Sequence, residues 1–122
     1  MEKISSLVKT SQVTTETDSQ RLHGQVLCPN QNKNLHCPHG WILNIIQADY
    51  GRKHQFLCGH GKVKNCTTKS STTAKVKEIC DGKRVCHIDA KEGRFEDACP
   101  GVIKYLHVVY TCIHGVERSN NG

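Results

Sequence analysis

Hydrophobic and polar positions alternate most cleanly along Ile103-Lys-Tyr-Leu-His-Val-Val-Tyr-Thr111, which predicts a β-strand. A second strand is predicted over Trp41-Ile-Leu-Asn-Ile-Ile-Gln-Ala48, whose apolar, β-branched content suits a buried pleated surface. Tyr50-Gly51-Arg52 follows as a turn, with Gly51 free to take a positive φ. Ser70 to Ile79 reads as a helix: a Ser or Thr can cap it, and Ala74 to Ile79 contains good helix formers. Asp81-Gly82 is a turn, and Arg84 to Ile88 a short strand. Ile4, Leu7 and Val8 have helical spacing, but three positions in a Ser/Thr-rich stretch do not make an amphipathic helix. Residues 1–24 are therefore expected to be a flexible tail, 25–113 a compact domain, and 114–122 a second loose end.

Composition changes this picture in one respect. The chain has 122 residues, enough for one domain, but only 36% are hydrophobic and 5% aromatic. A domain of this size hides about two thirds of its unfolded surface, and there is little large apolar material here to hide. Eight cysteines stand in its place, so cross-links are expected to supply the missing stability. The fold class that follows is α+β: a small disulfide-rich antiparallel β-sheet domain with one or two helices and long structured loops. No apolar run approaches the roughly 18–20 residues of a membrane span. The net charge of +6 favours acidic surfaces without naming a partner.

The cysteines also indicate a compartment. Four disulfides imply an oxidising environment and hence secretion. Met1 to Gly24 has no apolar core of the kind a signal peptide carries, which conflicts with that expectation. A lost leader, an alternative start and unconventional export all stay open. A metal cluster is the weaker reading of the cysteines, although His36, Cys37 and His39 lie close together, because no pair is spaced C-x-x-C. A catalytic thiol would have to stay unpaired. Glu96 and Asp97 are adjacent, whereas a glycosidase needs two carboxyl groups about 5–10 Å apart across the scissile bond, so no enzyme is expected.

Two segments carry a resemblance. One is Ala48-Asp-Tyr-Gly-Arg52; the other is Phe95-Glu-Asp-Ala-Cys-Pro-Gly-Val-Ile-Lys-Tyr-Leu106, leading to Val109-Tyr-Thr-Cys112. Together with the eight cysteines, over about residues 26–113, they closely resemble the galactose/rhamnose-binding lectin domain of the sea-urchin-egg-lectin (SUEL) type. The usual family patterns are A-N-Y-G-R and F-G-D-P-C-x-G-T-x-K-Y-L. The resemblance implies a metal-independent sugar-binding domain with no cofactor and no enzymatic activity. It also implies the pairing Cys28–Cys58, Cys37–Cys112, Cys66–Cys99 and Cys80–Cys86, out of the 105 that eight cysteines allow.

The implied site suits the chemistry of a hexose, whose hydroxyls each donate one hydrogen bond and accept others. Asp97 would accept from two ring hydroxyls, Lys104 would donate to one, Gly101 would let a backbone N–H approach closely, and Tyr50 would supply ring contact or a phenol bond. Arg52 is expected either to reach the ligand or to brace the Tyr50 turn. The implied partners are galactose- or rhamnose-bearing glycans of cell surfaces, with a role in innate defence and self-association for multivalency. Neither nucleic acid nor membrane insertion is expected.

The chain departs from the pattern at several places. Pro29 stands where many members carry a sugar-binding Glu, and it has neither carboxylate nor N–H. Asp49 replaces the usual Asn and is expected to add a charge near the site. Ala98 replaces the usual Pro and is expected to loosen its loop. Lys91-Glu92-Gly93 occupies a stretch that often has small polar residues. Two alternatives therefore stay open: a degenerate lectin frame that binds a protein, and a basic defence protein acting on anionic glycans or membranes. Trp41, Tyr105 and Tyr110 read as structural, the lysines from Lys62 to Lys83 together with Arg84 as a solvated charged surface, and Asn65-Cys66-Thr67 as a glycosylation sequon whose middle residue is engaged in a disulfide.

Overall fold

A computed structural model describes residues 21–59, 66–91 and 93–118. The expectations for the first twenty residues, the Asn65 sequon, Lys62, Lys64, Glu92 and the last four residues lie outside these. The elements run β1 (His23–Leu27), β2 (Asn32–His36), β3 (Trp41–Gly51), α1 (Lys69–Cys80), β4 (Val85–Asp89) and β5 (Tyr105–His114). β5 is the centre of a three-stranded antiparallel sheet ordered β1-β5-β3, and β2 and β4 pair antiparallel as a separate ribbon. The alternating stretch thus became the strand with a neighbour on each side.

Helix α1 lies along the free edge of β3 and buries Thr72, Val76 and Cys80, a stripe at four-residue spacing. An edge strand leaves a row of unpaired backbone groups, and here side chains of the helix region take the place of a further strand. The Thr68 hydroxyl accepts from Tyr50 N–H (3.4 Å) and donates to Tyr50 C=O (2.9 Å). Thr73 does the same for Ala48, at 2.9 Å in both directions. Ile45 N–H donates to Asp81 Oδ1 (2.7 Å), and Ile45 C=O accepts from Lys77 Nζ (2.7 Å). Thr68 is the N-cap residue, yet its side chain makes no capping bond. Its hydroxyl is already engaged by Tyr50, and that is why the expected cap is absent.

The bonded β3 positions step from Ile45 to Ala48, because a β-bulge shifts the register between Ile45 and Gln47. The extra residue, Ile46, is left exposed at 45%. Beyond Tyr50, β3 needs a glycine: a Cβ on Gly51 would overlap the Cys66 carbonyl, to which Arg52 N–H donates at 3.2 Å.

The core joins both sheets and the helix through Leu27, Leu35, Leu43, Ile45, Val76, Leu106 and Val108, all essentially inaccessible. Disulfides link Cys28–Cys58, Cys37–Cys112, Cys66–Cys99 and Cys80–Cys86, the pairs the resemblance implies. Cys37–Cys112 ties β5 to the end of β2, and Cys80–Cys86 ties the helix C-terminus to β4.

Four sequence expectations need correction. Tyr50 and Gly51 continue β3 in register with Leu106 and Tyr105 instead of forming a turn, and Gly51 takes no positive φ. β1 begins at His23, inside the stretch read as a tail, and pairs there with Tyr110 of β5. β2 was not foreseen at all. The segment read as loose from His114 onward is fastened as far as Arg118: His114 closes β5, Gly115 N–H donates to Gly40 C=O, and Arg118 N–H donates to Gly82 C=O. The Arg118 guanidinium donates to the Glu78 and Ile79 carbonyls, satisfying acceptors that the last turn of α1 leaves open.

Candidate functional site

Two cavities lie against β3. The first, of about 270 Å³, is lined by Pro29, Asn30, Tyr50, Ala90, Gly101, Val102, Ile103 and Lys104. The second, of about 350 Å³, is lined by Val26, Gln47, Asp49, Gly51, Lys53, His54, Leu57, Tyr105 and His107. The alternation of a strand separates them, with Tyr50 on one face and Asp49 and Gly51 on the other. Three of the four sequence-derived site residues, Tyr50, Gly101 and Lys104, therefore meet in the first cleft. Asp97 is not on its lining but adjoins it through Lys104.

Lys104 is 6% exposed, and its ammonium makes three contacts. It pairs with Asp97 Oδ1 (3.1 Å) and donates to the carbonyls of Val102 (2.6 Å) and Cys99 (3.2 Å). An ammonium has three N–H groups, so in this state none is left over for a ligand. Asp97 Oδ1 also accepts from Cys99 N–H (3.0 Å), whereas Oδ2 has no partner among the described residues. The Asp97 side chain is 39% exposed. The pair thus presents one unengaged carboxylate oxygen and a cation turned inward onto its own loop.

That loop is tied at both ends. Cys99 is bonded to Cys66, and Val102 N–H closes a turn onto Cys99 C=O at 3.2 Å. Ala98, in place of the usual Pro, stands between Asp97, which accepts from Cys99 N–H, and the disulfide-bonded Cys99. Gly101 has φ +84, which suits glycine and sets its backbone on the cleft wall. The other wall is the Pro29–Asn30 turn, in which Gln31 N–H donates to Cys28 C=O (3.0 Å) and Asn30 N–H to Ala90 C=O (3.2 Å). Tyr50 forms the floor and packs its ring on Phe95, with centroids 5.5 Å apart.

Arg52 does not line the cleft. It is fully buried and donates to six carbonyls: Ile103, His54, Gln55, Leu57, Cys58 and Gly59. Its guanidinium carbon also stands 5.6 Å from the Tyr105 ring centre. Arg52 therefore fastens the 53–59 loop to the backbone just before Lys104, and does not brace a turn at Tyr50, which lies within β3.

Asp49 is a correction. Its carboxylate turns away from the cleft, accepting from Thr68 N–H and Thr67 Oγ (both 2.8 Å) and pairing with Lys53 at 3.4 Å. The charge it adds lies at the start of α1, where helix dipole and N–H groups favour an anion. Glu96 also diverges from Asp97, accepting from Ser71 Oγ at 2.6 Å. Cys37 is consumed by its disulfide, so His36 and His39 have no thiolate between them. Trp41 packs against the core and on the His114 ring. Of the supposed charged surface, Lys77 serves β3 and Arg84 donates to Cys37 C=O. Asn30, Ala90, Val102 and Ile103 line the cleft without a signal in the sequence; nothing in Cys28-Pro-Asn-Gln indicates that this turn shares a cleft with Tyr50.

The described residues form a small domain stapled by four disulfides, with a cleft of mixed polar and apolar lining between tied loops. Residues 35–112 match the D-galactoside/L-rhamnose binding SUEL lectin domain. The chain belongs to that family. It is 38% identical over 93 residues to the L-rhamnose-binding lectin SML of Scomberomorus niphonius, covering 71% of this chain and 45% of that protein. It is 37% identical over 90 residues to the D-galactoside-specific lectin of Heliocidaris crassispina, covering 70% of this chain and 86% of that protein. It is 34% identical over 96 residues to latrophilin Cirl of Drosophila mojavensis, covering 75% of this chain and 6% of that protein. The chain thus spans less than half the length of the first and a small fraction of the last.

Proposed function

We propose that this protein is a secreted, metal-independent lectin that binds terminal galactose or rhamnose on cell-surface glycans and does not turn them over. The observation that carries this reading is the convergence of Tyr50, Gly101 and the Asp97–Lys104 pair on one cleft, in a chain whose family is named for those two sugars. Asp97 Oδ2 accepts from a ring hydroxyl. The Gly101 backbone stands where an N–H can donate to a second. Lys104 exchanges its 3.2 Å bond to the Cys99 carbonyl for a sugar hydroxyl, keeping Asp97 and Val102. Such a site is shallow and weak alone, so tight cell-surface binding comes from self-association. The lectin domain is the stretch of about residues 25–113, extended to take in all of β1.

Passage over immobilised galactose and rhamnose, with and without a chelator, tests this. Retention on either resin, unchanged by chelator, is expected; flow-through on both would refute it. A second reading, a lectin frame that binds a protein partner, is favoured by Pro29 at the rim and by the fully engaged Lys104 ammonium. Asp97→Ala separates the two, because it abolishes sugar retention and leaves a protein partner bound.

A further inference from the structure

The residues lining the cleft include no carboxylate. The acid beside it, Asp97, is paired with Lys104. At the rim stands Asn30, with φ +66, a left-handed conformation that Asn tolerates better than most residues. The backbone carrying it is held from several sides: Asn30 N–H on Ala90 C=O, Gln31 N–H on Cys28 C=O, Cys28 N–H on Gln31 Oε1 (2.8 Å), and Cys28 stapled to Cys58. The Asn30 side-chain amide itself has no hydrogen-bond partner among the described residues. An anchored, unengaged amide offers two donors and one acceptor with no charge.

The surroundings of the cleft lean positive. Lys75 and Lys91 line a neighbouring depression with Arg94, on the side of the Phe95 ring that backs Tyr50, and not the cleft itself. Of the acids nearby, Asp89 is paired with Arg94 at 3.0 Å and Glu96 is bonded to Ser71. On the cleft lining itself a ligand anion meets the neutral Asn30 amide and the paired Lys104, and no carboxylate.

We propose that Asn30 is a specificity-determining residue of this cleft, and that its neutral amide admits a galactose-configured sugar carrying an acidic group at C6 as readily as the neutral hexose. The inference rests on the carbohydrate-binding reading above and deepens it. The test is equilibrium titration of D-galactose and D-galacturonic acid, at neutral pH and about 0.15 M salt, into the wild type, Asn30→Asp and Asn30→Gly. Both substitutions fit a positive φ, so the turn persists.

The wild type is expected to bind the two sugars within about threefold of each other. Asn30→Asp is expected to lower the affinity for galacturonic acid roughly tenfold relative to that for galactose, through like-charge repulsion at short range. Asn30→Gly weakens both by about three- to tenfold, the worth of one lost hydrogen bond. The proposal is overturned if the wild type excludes galacturonic acid while binding galactose, or if Asn30→Asp and Asn30→Gly leave both affinities unchanged. Failure of the wild type to bind either sugar, or rhamnose, would instead sink the carbohydrate reading itself and this inference with it.

Discussion

Lys104 and Asp97 hold each other across the 97–104 loop, Nζ 3.1 Å from Oδ1, with the ammonium enclosed and the carboxylate partly open to solvent. Two roles meet in this pair. The cation organises the loop by gathering the Cys99 and Val102 carbonyls, and the anion keeps one oxygen for a ligand.

Asp97→Asn keeps an acceptor for Cys99 N–H but removes the charge opposite Lys104. Hydrogen bonds to charged groups are worth more than neutral ones. Galactose affinity is expected to fall at least about tenfold, with a lowered melting temperature. Isothermal titration and a thermal melt on the same preparation check both; unchanged affinity would remove Asp97 from the site.

Arg52→Lys removes the planar fork that reaches six carbonyls and leaves a point charge with three donors. The expected loss is about 2–4 kcal/mol, from several charge-assisted hydrogen bonds in a buried place. Amide hydrogen exchange is expected to rise across residues 53–59, ahead of the β5 amides. Denaturant unfolding gives the magnitude; a neutral result would mean the carbonyls are satisfied without the guanidinium.

Gly51→Ala places a methyl on the Cys66 carbonyl. The strand must move away, breaking the Arg52–Cys66 bridge and disturbing Tyr50 one residue before it. Overpacking of this kind destabilises by about 1–3 kcal/mol. Chemical denaturation against wild type measures it, and sugar affinity should fall along with stability.

Burial raises the Tyr110 pKa from its ordinary 10.0, since the phenolate would be poorly solvated against β1. A folded-state pKa above the unfolded one means that the folded form holds its proton longer. The associated stability is present below the unfolded value and is lost as pH rises through the folded value. Unfolding midpoints from about pH 9 to about pH 11 should therefore fall more steeply in wild type than in Tyr110→Phe. Parallel slopes would show that Tyr110 does not contribute.

Much of the frame could be read from the chain because its signals are local. β5 announced itself by alternation, β3 by its β-branched run, and α1 by its helix formers, within a few residues at each end. β2 gave no such signal: Asn-Lys-Asn-Leu-His buries only Leu35, and the strand is held by backbone pairing to β4. β1 was not read as a strand, and the expected tail boundary after Gly24 cuts through it; its pairing comes from β5, far along the chain. At the site, residue types matched sugar chemistry, but partners did not follow from spacing. That Asp49 serves Thr67 and Thr68, that Arg52 serves a loop, and that Lys104 is engaged by carbonyls all depend on long-range geometry. The Ile46 bulge, which sets Ile45 against α1, is equally invisible in an unbroken apolar run.

The most direct test of the account is a galactose titration of the isotope-labelled protein followed by amide chemical shifts. Shifts concentrated at Tyr50, Gly101, Val102 and Lys104, with the Asn30 turn moving alongside, are predicted. Shifts that cluster instead around Asp49, His54 and His107, or that appear nowhere at saturating sugar, would contradict it.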